Sequence, residues 1–259
     1  MTTQVSHGLP FAFMVRKTTI LLALSFILPV FSDALYGMAE SFGIGLPFSP
    51  GVLLRSVVLL LFVSLLLNHI GAAYLPYIIW PAAIVASVLP SLLVGASWGS
   101  SLGFDVSALT KSLYLPIVAA GLAILLHRSR QVAAELLTAI EFTAYLYTFF
   151  IVVPETLGIG VRTYGSYADG GSGFFTAGND AGVTLGVSLN ILAYRLVFGR
   201  FSVVRIAMFF AGTYACTLIG SRAVLIFVGG AGLTLTFGIL FMRSPGRNRS
   251  AFRKIGKLL

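Results

Sequence analysis

The sequence predicts an all-α chain, a polytopic transmembrane helical bundle of about eight spans, and three observations carry that expectation. Apolar residues make up 58% of the 259 residues and charged residues only 10%, with a mean hydropathy of +0.97. Soluble domains carry about 25% charge and are about half apolar, and disordered chains are poorer still in apolar and aromatic residues. The apolar residues also fall in long runs, and eight runs of about 20 residues would use about 160 residues, leaving about 99 for loops and ends. Finally, the basic residues divide unequally between alternate loops.

The first run, 17–35, follows Arg16 and Lys17 as a signal peptide would. It lacks a small-x-small cleavage site and further spans follow, so it reads as an uncleaved first helix. Runs 52–68 and 71–93 come next, the latter carrying Pro76, Pro81 and Pro90. These prolines are expected to kink or shorten it, which a membrane helix tolerates where neighbours satisfy the freed carbonyls. Runs 109–127 and 132–153 precede a polar loop, 154–179, and runs 180–198, 203–220 and 223–242 complete the set. No polar linker divides the chain, so 1–242 reads as a single transmembrane domain followed by a basic tail, 243–259.

With the N-terminus inside, 13 of the 17 basic residues are cytoplasmic: Arg16, Lys17, Arg128, Arg130, Arg195, Arg200, Arg205 and six in the tail. Six of the eight acids, Asp33, Glu40, Asp105, Glu155, Asp169 and Asp180, fall outside. This is the positive-inside distribution, and an even number of spans then gives an N-in/C-in topology. It also explains the net charge of +9. Thirteen basic residues orient the chain, and the tail from Arg243 suits anionic lipid headgroups. With no basic-aromatic recognition element, nucleic acid is not an expected partner; membrane lipids are. The single cysteine, Cys216, lies in an apolar run and can form no intrachain disulfide.

Four basic residues break the inside rule: Arg55, Lys111, Arg162 and Arg222. One reading is a cationic cluster at the outer leaflet, suited to a phosphate or pyrophosphate group. The other is that each snorkels to the interface or pairs with an acid such as Asp105. Snorkelling or pairing is the stronger alternative for Arg55 and Lys111, and binding for Arg162 and Arg222.

The loop 154–179 holds seven glycines in 26 residues, together with Tyr164, Tyr167, Phe174 and Phe175. Glycines allow close backbone approach to a ligand, and aromatics among polar groups suit sugar rings or a lipid headgroup. The alternative is a flexible linker. Beyond it, Gly178, Gly182, Gly186 and Asn190 share one helix face, a small-xxx-small pattern that predicts close packing against a neighbouring helix. Asn179 and Asp180 are candidate caps, with Asn179 also a candidate ligand contact. Glu141, near the middle of its span, must be neutral, paired or water-lined. His7, His69 and His127 all map inside, and no HExxH, CxxC, hydrolase triad or acidic metal cluster is present. No metal or other cofactor is expected.

Arg162-x-x-Gly165, then Gly173-Phe-Phe-x-x-x-Asn179 running into a helix, and finally Ser221-Arg222-Ala223 at the start of a later apolar helix, resemble the motifs of the bacterial O-antigen polymerase/ligase superfamily. The resemblance implies a multi-pass inner-membrane glycosyltransferase that polymerises or ligates undecaprenyl-diphosphate-linked oligosaccharide at the periplasmic face, in surface or exopolysaccharide synthesis, without metal or nucleotide sugar. It implies that Arg162 and Arg222 stabilise the donor pyrophosphate and that Asn179 shapes the site; the outer-charge and loop-aromatic readings above add Arg55, Lys111 and Tyr164 as candidate substrate contacts. It also implies other polysaccharide-assembly membrane proteins as partners. Family members carry further spans and a second large outer loop, in which the ligases place a functional histidine. This sequence corresponds to their N-terminal two-thirds, as expected of a truncated, split or short member. Two alternatives are a transporter or flippase-like permease, which would show internal repeats that are not visible here, and a non-catalytic membrane subunit of a polysaccharide-assembly complex.

Overall fold

The structure, a computed structural model, describes residues 18–45, 49–67, 102–128, 130–161, 170–176, 178–199, 202–220 and 222–242. Among these residues it is all-helical, with no strand. Seven helices follow in order: α1 (Thr18–Ser41), α2 (Pro50–Leu67), α3 (Leu102–Arg128), α4 (Arg130–Leu157), α5 (Gly178–Phe198), α6 (Val203–Ile219) and α7 (Arg222–Met242). Four stretches, Thr18–Ser41, Pro50–Leu67, Gln131–Leu157 and Asp180–Phe198, are long and apolar enough to cross a membrane, and shorter apolar stretches run over Ile117–His127, Val203–Ile219 and Val224–Gly238. These are the dimensions of a membrane protein.

Each expected run has a helix except 71–93, which lies outside the described residues with its three prolines, as does the tail 243–259. Three helices outrun their expected edges by more than two residues. Helix α1 continues to Ser41, α3 begins at Leu102, and α4 passes through Pro154 to Leu157. The chain divides into two compact units, Met1–Ala139 and Ile140–Leu259, with the boundary inside α4.

In the first unit Leu22 of α1, Val58, Phe62 and Leu66 of α2, and Ile117, Val118, Ala120, Leu122 and Ile124 of α3 form one buried cluster. Gly121 faces the ring of Phe62, which is fully buried, so a side chain at 121 would displace it. Helix α1 contains a π-helical turn, Ala23–Ile27, followed by Pro29. Proline has no N–H to give to the carbonyl four residues back, and that carbonyl belongs to Ser25. Tyr114 of α3 takes its place, donating its hydroxyl to Ser25 O at 2.5 Å. The proline therefore shapes α1 and also creates an acceptor that ties it to α3.

The same unit holds an ion pair between Asp33 of α1 and Arg55 of α2, made possible by Gly51, where a Cβ would meet the Asp33 carboxylate. Thr19 Oγ1 donates to Glu135 Oε2 at 3.1 Å, joining α1 to the first turns of α4.

In the second unit, α5 makes its most extensive contact with α7. The expected small-residue face does this packing. A Cβ at Gly182 would come within 2.5 Å of Val224 Cγ2, and one at Gly186 within 2.6 Å of Phe227 Cβ. Asn190, on the same face, donates from Nδ2 to Phe227 O at 3.0 Å and to Gly186 O at 2.8 Å. In hydrocarbon such contacts replace the hydrophobic drive that packs soluble helices. Gly186→Val is accordingly expected to cost about 1–3 kcal/mol through overpacking, read as a lower midpoint in detergent denaturation. Gly229→Val, on α7 where nothing lies within 4 Å of a Cβ, is the control and should shift it little.

Candidate functional site

Helices α4 and α6 end, and α5 and α7 begin, at one end of the second unit, and the glycine-rich segment docks there. Helix α4 stops at Gly158, whose φ of +69° suits glycine, and Ile159 N–H returns to Pro154 O at 3.0 Å. Pro154 has the same consequence as Pro29. It leaves Phe150 O without its helical donor, and Phe174 N–H of the loop donates to that oxygen at 3.0 Å. Gly171 N–H donates to Leu218 O, in the last turn of α6, also at 3.0 Å. One short segment thus takes up carbonyls from the ends of two helices.

The two arms of the loop are joined to each other. Val161 N–H donates to Gly173 O at 2.6 Å, and Ser172 N–H to Val161 O at 3.1 Å. Ser172 is fully buried, with its Oγ 2.5 Å from Phe175 O and 3.1 Å from Val161 O, so its one proton serves either carbonyl. Gly173 N–H donates to Glu155 Oε1 at 3.0 Å. A Cβ at Gly160 or at Gly171 would collide with the same carboxylate. Burying irregular backbone in a membrane bundle requires that its polar groups find partners, and these contacts supply them. The described arm 170–176 is therefore a docked element and not a flexible linker.

This docking corrects one expectation. Phe175 is 3% exposed, its ring 4.7 Å from that of Tyr147 and 6.5 Å from that of Phe150, and Phe174 is buried too. Both anchor the loop to the bundle, leaving no face for a sugar ring. Tyr164 and Tyr167 lie outside the described residues, and so does Arg162, the residue after Val161.

The other candidates fall in two groups. Asn179 and Asp180 lie inside the first turn of α5, which begins at Gly178, so neither occupies the cap position. Asp180 there still complements the positive end of the helix. Arg222 is the first residue of α7. Gly182 faces Val224, so the starts of α5 and α7, with Asn179 and Arg222 on them, are neighbours at the loop end. Arg55 and Lys111 belong to the first unit, on α2 and α3. Arg55 is held by Asp33, so pairing is what the structure provides for it.

Glu141 is paired as well. Arg205 Nε donates to its Oε1 at 2.7 Å, Arg195 Nη1 lies 2.7 Å from Oε2, and Tyr145 donates its hydroxyl to Oε1 at 2.5 Å. The Arg195 contact is an ion pair in which no N–H points along the line of approach. Arg195 comes from the last turn of α5 and Arg205 from the first turn of α6, so this cluster lies toward the end of the unit away from the loop. Of the three expected possibilities, neutral, paired or water-lined, Glu141 takes the paired one, between two guanidinium groups.

Among the described residues no group of three or more His, Cys, Asp or Glu is gathered as a metal site would require. The site that emerges is the docked loop with the two helix starts beside it. Comparison with protein-family models, curated proteins and solved structures finds no match to this chain.

Proposed function

We propose that this chain is a glycosyltransferase of the O-antigen polymerase/ligase type, acting on undecaprenyl-diphosphate-linked oligosaccharide at the outer face of a bacterial inner membrane. On this reading the chain crosses the membrane eight times, N-in and C-in, and the loop end of the second unit faces outward. The donor's lipid diphosphate is the leaving group. Fixed cations stabilise the negative charge that builds on it, a role suited to Arg162 and Arg222, with Asn179 shaping the same corner. An acceptor hydroxyl attacks the anomeric carbon as the bond to the diphosphate breaks, and the hydroxyl's proton leaves with the released diphosphate. Anionic lipids and other polysaccharide-assembly membrane proteins are the surrounding partners.

The observation that carries the reading is the meeting of two sequence elements at one end of the second unit. The Gly173-Phe-Phe-x-x-x-Asn179 segment docks onto α4 and α6 and runs into α5, whose start packs against the start of α7 at Arg222. A site for a lipid diphosphate needs held backbone and a cation, and on this reading the docked loop offers the first and Arg222, at the start of α7, the second.

The test is complementation. Deleting the gene from its host should shorten or abolish a surface glycan, and the unaltered gene should restore it. Arg222→Ala and Arg162→Ala should each fail to restore it, by about 100-fold or more if each removes one donor to developing charge, while inserting at normal abundance. Normal polymer in both variants would defeat the assignment.

A further inference from the structure

The cluster around Glu141 is unbalanced in charge, and the transfer chemistry above makes no use of it. Arg205 Nε and Arg195 Nη1 share one carboxylate, so the cluster keeps one positive charge. Both guanidinium side chains are partly exposed, at the end of the unit away from the docked loop. A charge held among apolar helices is costly unless an opposite charge answers it. Arg205 adds to that cost. It stands in the first turn of α6, where the helix end is itself positive and no acidic residue is present.

The surroundings suit a lipid phosphate. Gly199 brings the end of α5 against Arg205, since a Cβ there would lie 3.5 Å from Arg205 Nη1. At the start of α6, Ser202 Oγ accepts from Arg205 N–H at 3.4 Å, and the first helical bond runs from Ile206 N–H to Ser202 O at 3.2 Å. The amides of Val203 and Val204 come before that bond, in the position from which helix starts hold anions. Their side chains are exposed. On α5 the exposed rings of Tyr194 and Phe198, 4.8 Å apart, flank Arg195 in sequence. Exposed aromatics near a helix end mark the headgroup level of a bilayer.

We infer that the end of α5 and the start of α6 bind an anionic phospholipid. Its phosphate rests on Arg195, Arg205 and the first amides of α6, and its acyl chains run along the exposed aromatic and valine side chains. Guanidinium forks match phosphate oxygens in pairs, and basic pockets between membrane helices hold such headgroups. Glu141 orients both guanidinium groups, and the lipid supplies the negative charge that the cluster lacks. Such a site is independent of the reaction that the chain performs.

The test is native mass spectrometry of the whole chain, purified in detergent and titrated with phosphatidylglycerol, phosphatidylcholine or inorganic phosphate. The unaltered chain should hold phosphatidylglycerol about tenfold tighter than phosphatidylcholine, and inorganic phosphate should not displace it. Glu141→Leu with Arg195→Leu and Arg205→Met strands no charge and should abolish the preference. Arg195→Lys with Arg205→Lys keeps the charges and their pairing with Glu141 but loses the forks, so phosphatidylglycerol should bind about tenfold more weakly. If the triple variant does not fold, this pair decides. Glutamine in place of the six basic residues of the tail should leave the preference intact. Equal binding of the two lipids by the unaltered chain would overturn the proposal. So would a preference that survives in the triple variant, an unchanged affinity in the lysine pair, or a preference lost with the tail charges alone. Displacement by inorganic phosphate at equal concentration would mark a site for the free anion and overturn the lipid assignment.

Discussion

Glu141→Gln is expected to destabilise the second unit by about 3–5 kcal/mol, the cost of stranding buried charge when one member of an ion pair is removed. The side chain of Glu141 is 9% exposed and those of Arg195 and Arg205 are 21% and 17%, so solvent does little to screen the loss. Glutamine keeps the shape of the site and removes the charge that both guanidinium groups share. Replacing all three together, Glu141→Leu with Arg195→Leu and Arg205→Met, should be far milder, because no charge is then left behind. Denaturation in detergent reads both. A single variant no less stable than the triple one would show that the cluster does not hold α4, α5 and α6 together.

Gly173→Ala is expected to release the loop. Its φ is +61°, a conformation that costs a side-chain-bearing residue about 1–2 kcal/mol. Its Cβ would also land against Phe150 O and Ile151 Cα, which are backbone atoms of α4 and cannot swing aside. Relieving that clash means losing the hydrogen bonds to Phe150 O and Glu155 Oε1, so the total should reach about 3 kcal/mol. Gly158→Ala is the matched control. Its φ is +69° but nothing lies within 4 Å of its Cβ, so only the conformational cost of about 1–2 kcal/mol applies. Hydrogen exchange at 171–175 should accelerate strongly in the first variant and little in the second, and glycan restoration should fail only in the first.

What the sequence made legible follows from periodicity and from the cost of charge in lipid. The apolar runs are helices wherever they are described. Gly182, Gly186 and Asn190 do form one packing face, because helical spacing alone decides which residues share a side. Glu141 is paired, because an unpaired carboxylate is too costly there. The partners were not legible. Asp33 and Arg55 are 22 positions apart on different helices, and no local pattern links them. Phe174 and Phe175 look like binding aromatics beside so many glycines, and burial depends on a docking that the loop's composition does not reveal.

The prolines are the instructive case. Each removes one helical donor, which a sequence shows at once. The replacement donor, a Tyr114 hydroxyl for Pro29 and a Phe174 amide for Pro154, comes from a distant segment. Asking which group takes the carbonyl four residues before each proline is the signal that would have pointed to the docked loop, and through it to Glu155.

The most direct measurement of the central claim is transfer by the purified chain. Reconstituted in vesicles with undecaprenyl-diphosphate-linked oligosaccharide, the unaltered chain should release undecaprenyl diphosphate as glycan is transferred, and Arg222→Ala should release none above background. Equal release by the two proteins, or an untouched substrate with the unaltered chain, would contradict it.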